Sequence, residues 1–498
     1  MFDVVKSVAR HFLVYGVGRI LTRVVGFALI PFYTHYLLPR DYGTLEMIEA
    51  TVYMVGTFLG AGLTHALLRF YYDSEEHSYR RSVVSTALLS VIFVCFVLGG
   101  ALAFLSPSVS TLVFESPEYG GLLRLAVISL TMTVLAETPL VFIRAQQKSV
   151  LYTVVSLFGL VVNLSLNILF IARFGWGVRG VIMGGLITQA CIGVGLSAYT
   201  FRLVGISFSK ARLKEMLLYG LPYIPGGFLI SVLLMADRFV LQRFTNLTVV
   251  GLYALGYKFG LVIGAMVTEP FFAIWGPKMF EVAKRPDANH IYGRMLTYFL
   301  FFELYVALGI SAGVKDVIQI MADPKYHSAY QIVPIIVLAY VMGGAYQHAQ
   351  VGILLAKKTK FILYMQIAGA AAGIALNVAL VPILGAWGAA TATLCAWTLL
   401  TVLAYKISQR YIDIQFEFGR IGKMVLVALA LYGLCLQLDV TSSIYVNLAL
   451  KLAVAALFPL ALVLLRFYEP VEVDKIREIA SQVWSMMRRR LGWGGATP

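Results

Sequence analysis

Fourteen stretches of the chain are each apolar over about the length a tilted helix needs to cross a bilayer, roughly 20 residues. They fall at 12–36, 43–68, 82–105, 121–143, 150–172, 179–201, 215–242, 250–276, 293–313, 330–355, 361–384, 387–405, 421–437 and 445–466. Such a chain has little choice of fold. Hydrocarbon offers no water to a free backbone group, so every crossing must close its own hydrogen bonds as a helix. The expected fold class is therefore all-α integral membrane, with about 14 transmembrane helices. Composition agrees, because charged residues make up only 13% of the chain against about 25% in soluble domains.

The net charge of +15 would suggest nucleic acid in a soluble protein, but here the loops account for it. Alternate connections hold roughly 28 cations on one side and 6 on the other, the poorer set being Arg40, Arg173, Arg179, Arg243, Lys315 and Lys325. By the positive-inside rule the rich side is cytoplasmic. An even number of spans then puts both termini in the cytoplasm, with the protein multi-pass in the cell (inner) membrane, and nucleic acid is an unnecessary partner. Cys95, Cys191, Cys395 and Cys435 all lie in apolar runs without a CxxC pair or metal-ligand spacing, so they read as small core residues. The N-terminus lacks a short apolar region followed by a small-residue cleavage site, so no removable signal peptide is expected.

An internal repeat organises the spans. Pro39-Arg-Asp-Tyr-Gly43 has a counterpart in the turn before Gly251-Leu-Tyr, and Ser116-Pro-Glu-Tyr119 matches Asp323-Pro-Lys-Tyr326. Ala145 to Tyr152 matches Ala356 to Tyr364, and Asn167 followed by Gly175 matches Asn377 followed by Gly385. All offsets fall at roughly 207 to 212 residues, a single register that scattered chance matches would not give. Residues 1–205 (spans 1–6) and 206–412 (spans 7–12) then form an N-lobe and a C-lobe, parallel repeats of one six-helix unit about an axis along the membrane normal, with substrate between them. Spans 13–14 (413–467) are an addition. The tail, 468–498, places Ile476, Ile479, Val483, Trp484, Met487 and Leu491 at helical spacing among lysines and arginines, which predicts a cytoplasmic amphipathic helix on an anionic leaflet.

Charges inside the spans are the candidate functional residues, because each is expensive at membrane depth. Arg19 and Arg23 stand one helical turn apart in span 1 and present both guanidinium groups on one face. They either line a polar cavity or pair with acidic groups on the next helix. Arg23 and Glu49 lie at similar depths on antiparallel spans, and Lys258 falls within one position of Glu49 in the repeat register. Arg19, Arg23 and Lys258 are the candidate substrate-binding residues. Glu46, Glu49, Asp237, Arg238 and Glu269 are candidates for ion coupling or for a salt bridge in the cavity, with Asp237 and Arg238 expected toward the mouth. Glu137, Glu303, His65 and His348 are further ionisable groups within spans. If Gly16 corresponds to Gly220, Arg19 and Arg23 fall opposite Tyr223 and Gly227, so the C-lobe lacks the arginine pair. A need common to both copies would appear in both, and this asymmetry favours a substrate-binding face.

The chain has no phosphate-binding G-x-x-x-x-G-K-[ST], no H-E-x-x-H and no nucleophile elbow, and its loops leave no room for a soluble catalytic domain. It reads as a transporter, not an enzyme, with no cofactor and no metal site. Asn246-Leu-Thr fits a glycosylation acceptor. Two six-helix copies plus an extra pair, YG after span 1, xPxY before spans 4 and 10, AKKTK after span 10, and LN-x7-G-x-W-G-A-A from Leu376 to Ala390 together resemble the polysaccharide transporter, or O-antigen flippase, family of the multidrug/oligosaccharidyl-lipid/polysaccharide superfamily. The resemblance implies alternating-access transfer of an undecaprenyl-pyrophosphate-linked oligosaccharide from the cytoplasmic to the outer leaflet. It also implies coupling to protons, sodium or the membrane potential, cationic cavity residues on the pyrophosphate, and a polysaccharide polymerase or glycosyltransferases as partners. The pyrophosphate role is carried here to Arg19 and Arg23, and more weakly to Lys258. A lipid II flippase, a cation-coupled multidrug antiporter and a structural membrane partner of a glycosyltransferase complex are the alternatives.

Overall fold

The computed structural model describes residues 27–60, 62–470 and 472–474, and these contain helices and turns but no strand. In chain order the helices are α1 (Ile30–Tyr36), α2 (Pro39–Leu59), α3 (Leu63–Tyr71), α4 (His77–Phe114), α5 (Pro117–Ala145), α6 (Ser149–Arg173), α7 (Gly177–Val204) and α8 (Lys210–Gly220). They continue with α9 (Tyr223–Phe244), α10 (Leu247–Val282), α11 (Ala288–Met321), α12 (Pro324–Leu355), α13 (Lys360–Leu384), α14 (Ala386–Ser408), α15 (Phe418–Cys435) and α16 (Ile444–Leu464). Twelve described helices are long and apolar enough to cross a membrane, or 13 when the bent pair α2 and α3 is taken as one span. Span 1, the remaining expected crossing, is described only from Phe27. Large apolar side chains such as Phe104, 81% exposed, cover the lipid-facing surface.

Two expected spans are broken where the sequence carries the means to break them. Span 2 bends by 45° between α2 and α3. There Gly62 takes a left-handed φ of +66° against the backbone of Gly220, whose oxygen would lie 2.2 Å from any Cβ at position 62. Only glycine meets both demands. Span 7, expected as one helix from 215, is instead the short α8 followed by α9, because Pro222 at the junction has no N–H for a continuing helix. In α10 the turn over Gly264–Thr268 widens to i→i+5 pairing immediately before Glu269-Pro270, which accommodates a proline ring that would otherwise clash one turn back. The Asn246 side chain accepts a hydrogen bond from the Val249 N–H at 3.1 Å and caps α10, a local duty independent of glycosylation. Asn246→Ala should cost about 1 kcal/mol, read as a lower thermal unfolding midpoint in detergent.

The packing pattern recurs along the chain. Helix α5 packs on α7 as α12 does on α14, α6 packs on α7 as α13 does on α14, and α2 packs on α5 as α10 does on α12. Each pair joins the same positions in the repeat register. The contacts cluster into two compact units, one of Met1–Pro270 with Val317–Ile412 and one of Phe271–Asp316 with Asp413–Pro498. Most of both sequence repeats lies in the first unit.

The second unit is tied by charge at two places. Near one end Lys451 on α16 donates to Asp316 at 2.8 Å and Asp439 at 2.5 Å, and Lys315 pairs with Asp439. Near the other, Arg420 reaches Glu417 and Glu472, Arg294 reaches Glu469 at 2.6 Å, and Tyr298 donates to Glu472 at 2.5 Å. These contacts fasten the chain entering the tail to α11 and α15. The expected amphipathic tail helix, from Val473 onward, falls almost entirely outside the described residues.

Candidate functional site

The first unit encloses a cluster of charge where its two halves, 27–204 and 206–270 with 317–412, meet along α2, α9 and α10. Glu46 is seven residues into α2 and Arg238 six residues from the end of the antiparallel α9. At 1.5 Å per residue both lie about 10 Å below the same end of the bundle. That end carries the cation-poor loops.

Arg238 is 2% exposed and Asp237 is 3% exposed, so neither sits in an open mouth as expected from sequence. The guanidinium donates to Glu46 Oε1 at 3.0 Å, Asp237 Oδ1 at 2.8 Å and the Leu234 carbonyl at 2.7 Å. It also lies 4.1 Å from the centre of the Tyr257 ring. Asp237 accepts further bonds from the Tyr253 hydroxyl at 2.6 Å and the Thr393 hydroxyl at 3.4 Å. A buried ion pair persists only when its remaining donors and lone pairs are satisfied, and here one half of the molecule satisfies Asp237 entirely. Glu46 reaches across from the other half, with Arg238 its one hydrogen-bond partner among the described residues.

One turn along α2, Glu49 is exposed although Met47, Ile48 and Ala50 beside it are buried. Lys258 on α10 stands 4.8 Å from the ring centre of Tyr42 and within electrostatic reach of Glu46, Glu49 and Tyr33. Glu46, Glu49, Asp237, Arg238 and Lys258 thus form one constellation with one more carboxylate than cations. Asp237, Asn377 and Thr393 also border a void of about 10 Å³, room for one water-sized guest, and the buried Asn377 Oδ1 has no hydrogen-bond partner among the described residues.

Glu269 is exposed and stands 11 residues beyond Lys258 on α10, about 16 Å along the axis, and the structure does not bring it into the cluster. Arg19 and Arg23 lie outside the described residues, so the expected pairing of Arg23 with Glu49 does too. His65 is stacked on Tyr223 with ring centres 5.4 Å apart. Sequence reasoning missed Tyr42, Tyr253, Tyr257 and Thr393. The one available signal was the spacing of Tyr253 and Tyr257 on one face of α10, beside a lysine already singled out.

A family model described as polysaccharide biosynthesis protein matches residues 8–282, more than half of the 498. The chain belongs to this family. Among solved structures it is similar to a lipid II flippase MurJ in an inward closed conformation, with a TM-score of 0.75 at 14% identity over 90% of this chain and 98% of that one. An inward-facing multidrug resistance MATE transporter of the MOP superfamily gives 0.65 at 14% identity over 80% and 98%. A Vibrio cholerae MATE transporter gives 0.56 at 16% identity over 83% and 98%. A sequence comparison with curated proteins found no match. At these identities the likeness is one of fold, a multi-span helical membrane architecture.

Proposed function

We propose that the protein is a flippase moving an undecaprenyl-pyrophosphate-linked oligosaccharide from the cytoplasmic to the outer leaflet, its two halves acting as lobes in alternating access. The reading is carried by the charge constellation at the junction of the halves, in a chain of the polysaccharide biosynthesis family. Guanidinium and ammonium groups suit phosphate oxygens. Lys258 opposes Glu49 in the wall, and Arg19 and Arg23 from span 1 would turn the excess carboxylate charge into an excess of cations. In this reading the cation-rich face is cytoplasmic and the cell membrane is the inner one.

Full-length protein in proteoliposomes, supplied with a polyprenyl-pyrophosphate glycan, tests it. Lys258→Ala should slow transport about tenfold or more, the loss of one charge-assisted contact, and Arg19→Ala with Arg23→Ala should slow it further. Unchanged transport in both variants would remove the phosphate-binding role. Asp237, with the Asn377 and Thr393 oxygens beside it, supports coupling to a proton or sodium ion, which separate collapse of the two gradients would identify. Polymerase or glycosyltransferase partners are a further part of this reading, tested by co-purification.

The excess carboxylate among the described residues favours one other reading, a cation-coupled multidrug antiporter. Export of cationic dyes, with no glycan movement, would establish it. A lipid II substrate would show as faster transport of that lipid than of a longer glycan.

A further inference from the structure

We propose that Glu46 and Arg238 form a latch holding the outer ends of the two lobes together, with Asp237 the standby counter-ion that lets Arg238 release. This deepens the reading above and rests on its premise that the lobes part in turn at each face.

The contacts joining the halves differ between the two ends. Among the described residues, every donor across the halves at the cation-poor end comes from the second half and every acceptor from the first. Besides Arg238 on Glu46, Arg243 pairs with Glu115, Lys325 reaches the His35 carbonyl at 3.5 Å, the Tyr326 hydroxyl donates to the Leu37 carbonyl at 3.1 Å, and the Asp323 N–H donates to the Thr34 hydroxyl at 3.3 Å. At the cation-rich end the halves meet through the Gly62 and Gly220 backbones, the stacked His65 and Tyr223 rings, Phe58 against Phe228 at 5.2 Å, Arg212 over the Tyr79 ring at 4.2 Å, and hydrogen bonds from the Ser207 N–H to Ser85 at 2.8 Å and from the Ser209 N–H to Thr86 at 3.1 Å. No ion pair joins the halves there among the described residues. Parting the outer end therefore means separating ion pairs, while parting the inner end means separating rings, backbone and neutral hydrogen bonds.

Among the described residues, Glu46 with Arg238 is the one buried ion pair of the outer contacts. Arg243 and Glu115 are largely exposed and contribute little. When the lobes part, the two members of the buried pair fare differently. Arg238 keeps Asp237 and the Leu234 carbonyl, both on its own helix, and the Tyr257 ring, on its own half. Glu46 keeps no described partner. The closed state is thus favoured by the Glu46 carboxylate, and the open state is made accessible by Asp237. Neutralising the two acids should then have opposite effects.

Spin labels on the full chain in vesicles, without substrate, read the outcome. One pair at Glu118 and Thr248 spans the outer end and a second at Glu75 and Lys358 the inner end, all four being exposed. Glu46→Gln should raise the outer-open fraction about tenfold, the effect of roughly 1.4 kcal/mol, and Asp237→Asn should lower it. Glu46→Asp, which retains the charge on a shorter stem, should fall between wild type and Glu46→Gln. An outer distance unmoved by Glu46→Gln, or moved the same way by both neutralisations, would overturn the latch. Should Asp237→Asn yield no folded protein, the rank order of wild type, Glu46→Asp and Glu46→Gln still decides, and any other order overturns it. A normal response in a protein that moves no glycan would remove the substrate assignment and leave the latch standing.

Discussion

Lys451→Met should destabilise the second unit by about 3–5 kcal/mol, the usual cost of stripping one partner from a buried pair. Lys451 is 3% exposed and Asp316 is 2% exposed. Asp316 has Lys451 as its one hydrogen-bond partner among the described residues, so the variant leaves a carboxylate buried and uncompensated. Adding Asp316→Leu should recover most of the loss, because exchanging both members for apolar groups is often close to neutral. A thermal unfolding series in detergent checks both outcomes, and equal losses in the single and double variants would show that packing, not charge, is at stake. Acid gives an independent check. Hydrogen bonds from Lys315 and then Lys451 hold the Asp439 carboxyl below its usual value in the loop before α16. A depressed carboxyl stabilises the fold above its unfolded pKa of about 3.9, and the contribution is lost as pH falls through the lower folded value. This part of the tie should therefore remain at neutral pH and disappear only in strong acid.

Periodicity and repeat spacing made the architecture readable, while the partners of the charged groups were legible only in part. Apolar runs locate spans because the bilayer fixes a length, yet they cannot show that Gly62 bends span 2 or that Pro222 divides span 7, since a local break leaves hydropathy unchanged. The repeat register placed Lys258 opposite Glu49, and the structure puts both at the same junction. It could not show that Arg238 would reach Glu46, because depth along an antiparallel helix says nothing about rotation around it. The tyrosines that complete the site were hidden for another reason. Among 28 tyrosines, those that hydrogen-bond a buried carboxylate are told from those that face lipid only by the packing of α10 against α2 and α14. Span 1 held the strongest functional signal in the sequence, and Arg19 and Arg23 lie outside the described residues.

The same register leads to the second large effect, because residues near a pseudo-twofold axis meet their own copies. Gly43 and Gly251 are counterparts in the repeat, and they face one another where α2 crosses α10. A Cβ at Gly43 would lie 1.8 Å from the Leu247 oxygen, and one at Gly251 would lie 1.9 Å from the Pro39 oxygen, where real contacts stay beyond 3.0 Å. Gly251→Val must then drive the helices apart by more than 1 Å against backbone that cannot rotate away. In a rigid core such overpacking costs about 1–3 kcal/mol or more, so the variant should unfold at lower temperature and lose most of its transport. The crossing lies at the outer end, however, where the lobes are proposed to part, and an outward-open lobe pair would accommodate the valine. If the lobes part there, the variant should accumulate outer-open protein, lengthening the distance between labels at Glu118 and Thr248, with a smaller stability loss than Gly62→Val. That second change puts a β-branched residue at φ +66° as well as against Gly220, a backbone penalty that opening the lobes does not relieve. Gly121→Ala, with nothing within 4 Å of the added carbon, should leave both readouts unchanged. Equal losses in the two valine variants, with the outer distance unmoved, would mean that the Gly43 and Gly251 crossing is a fixed joint and not the seam at which the lobes part.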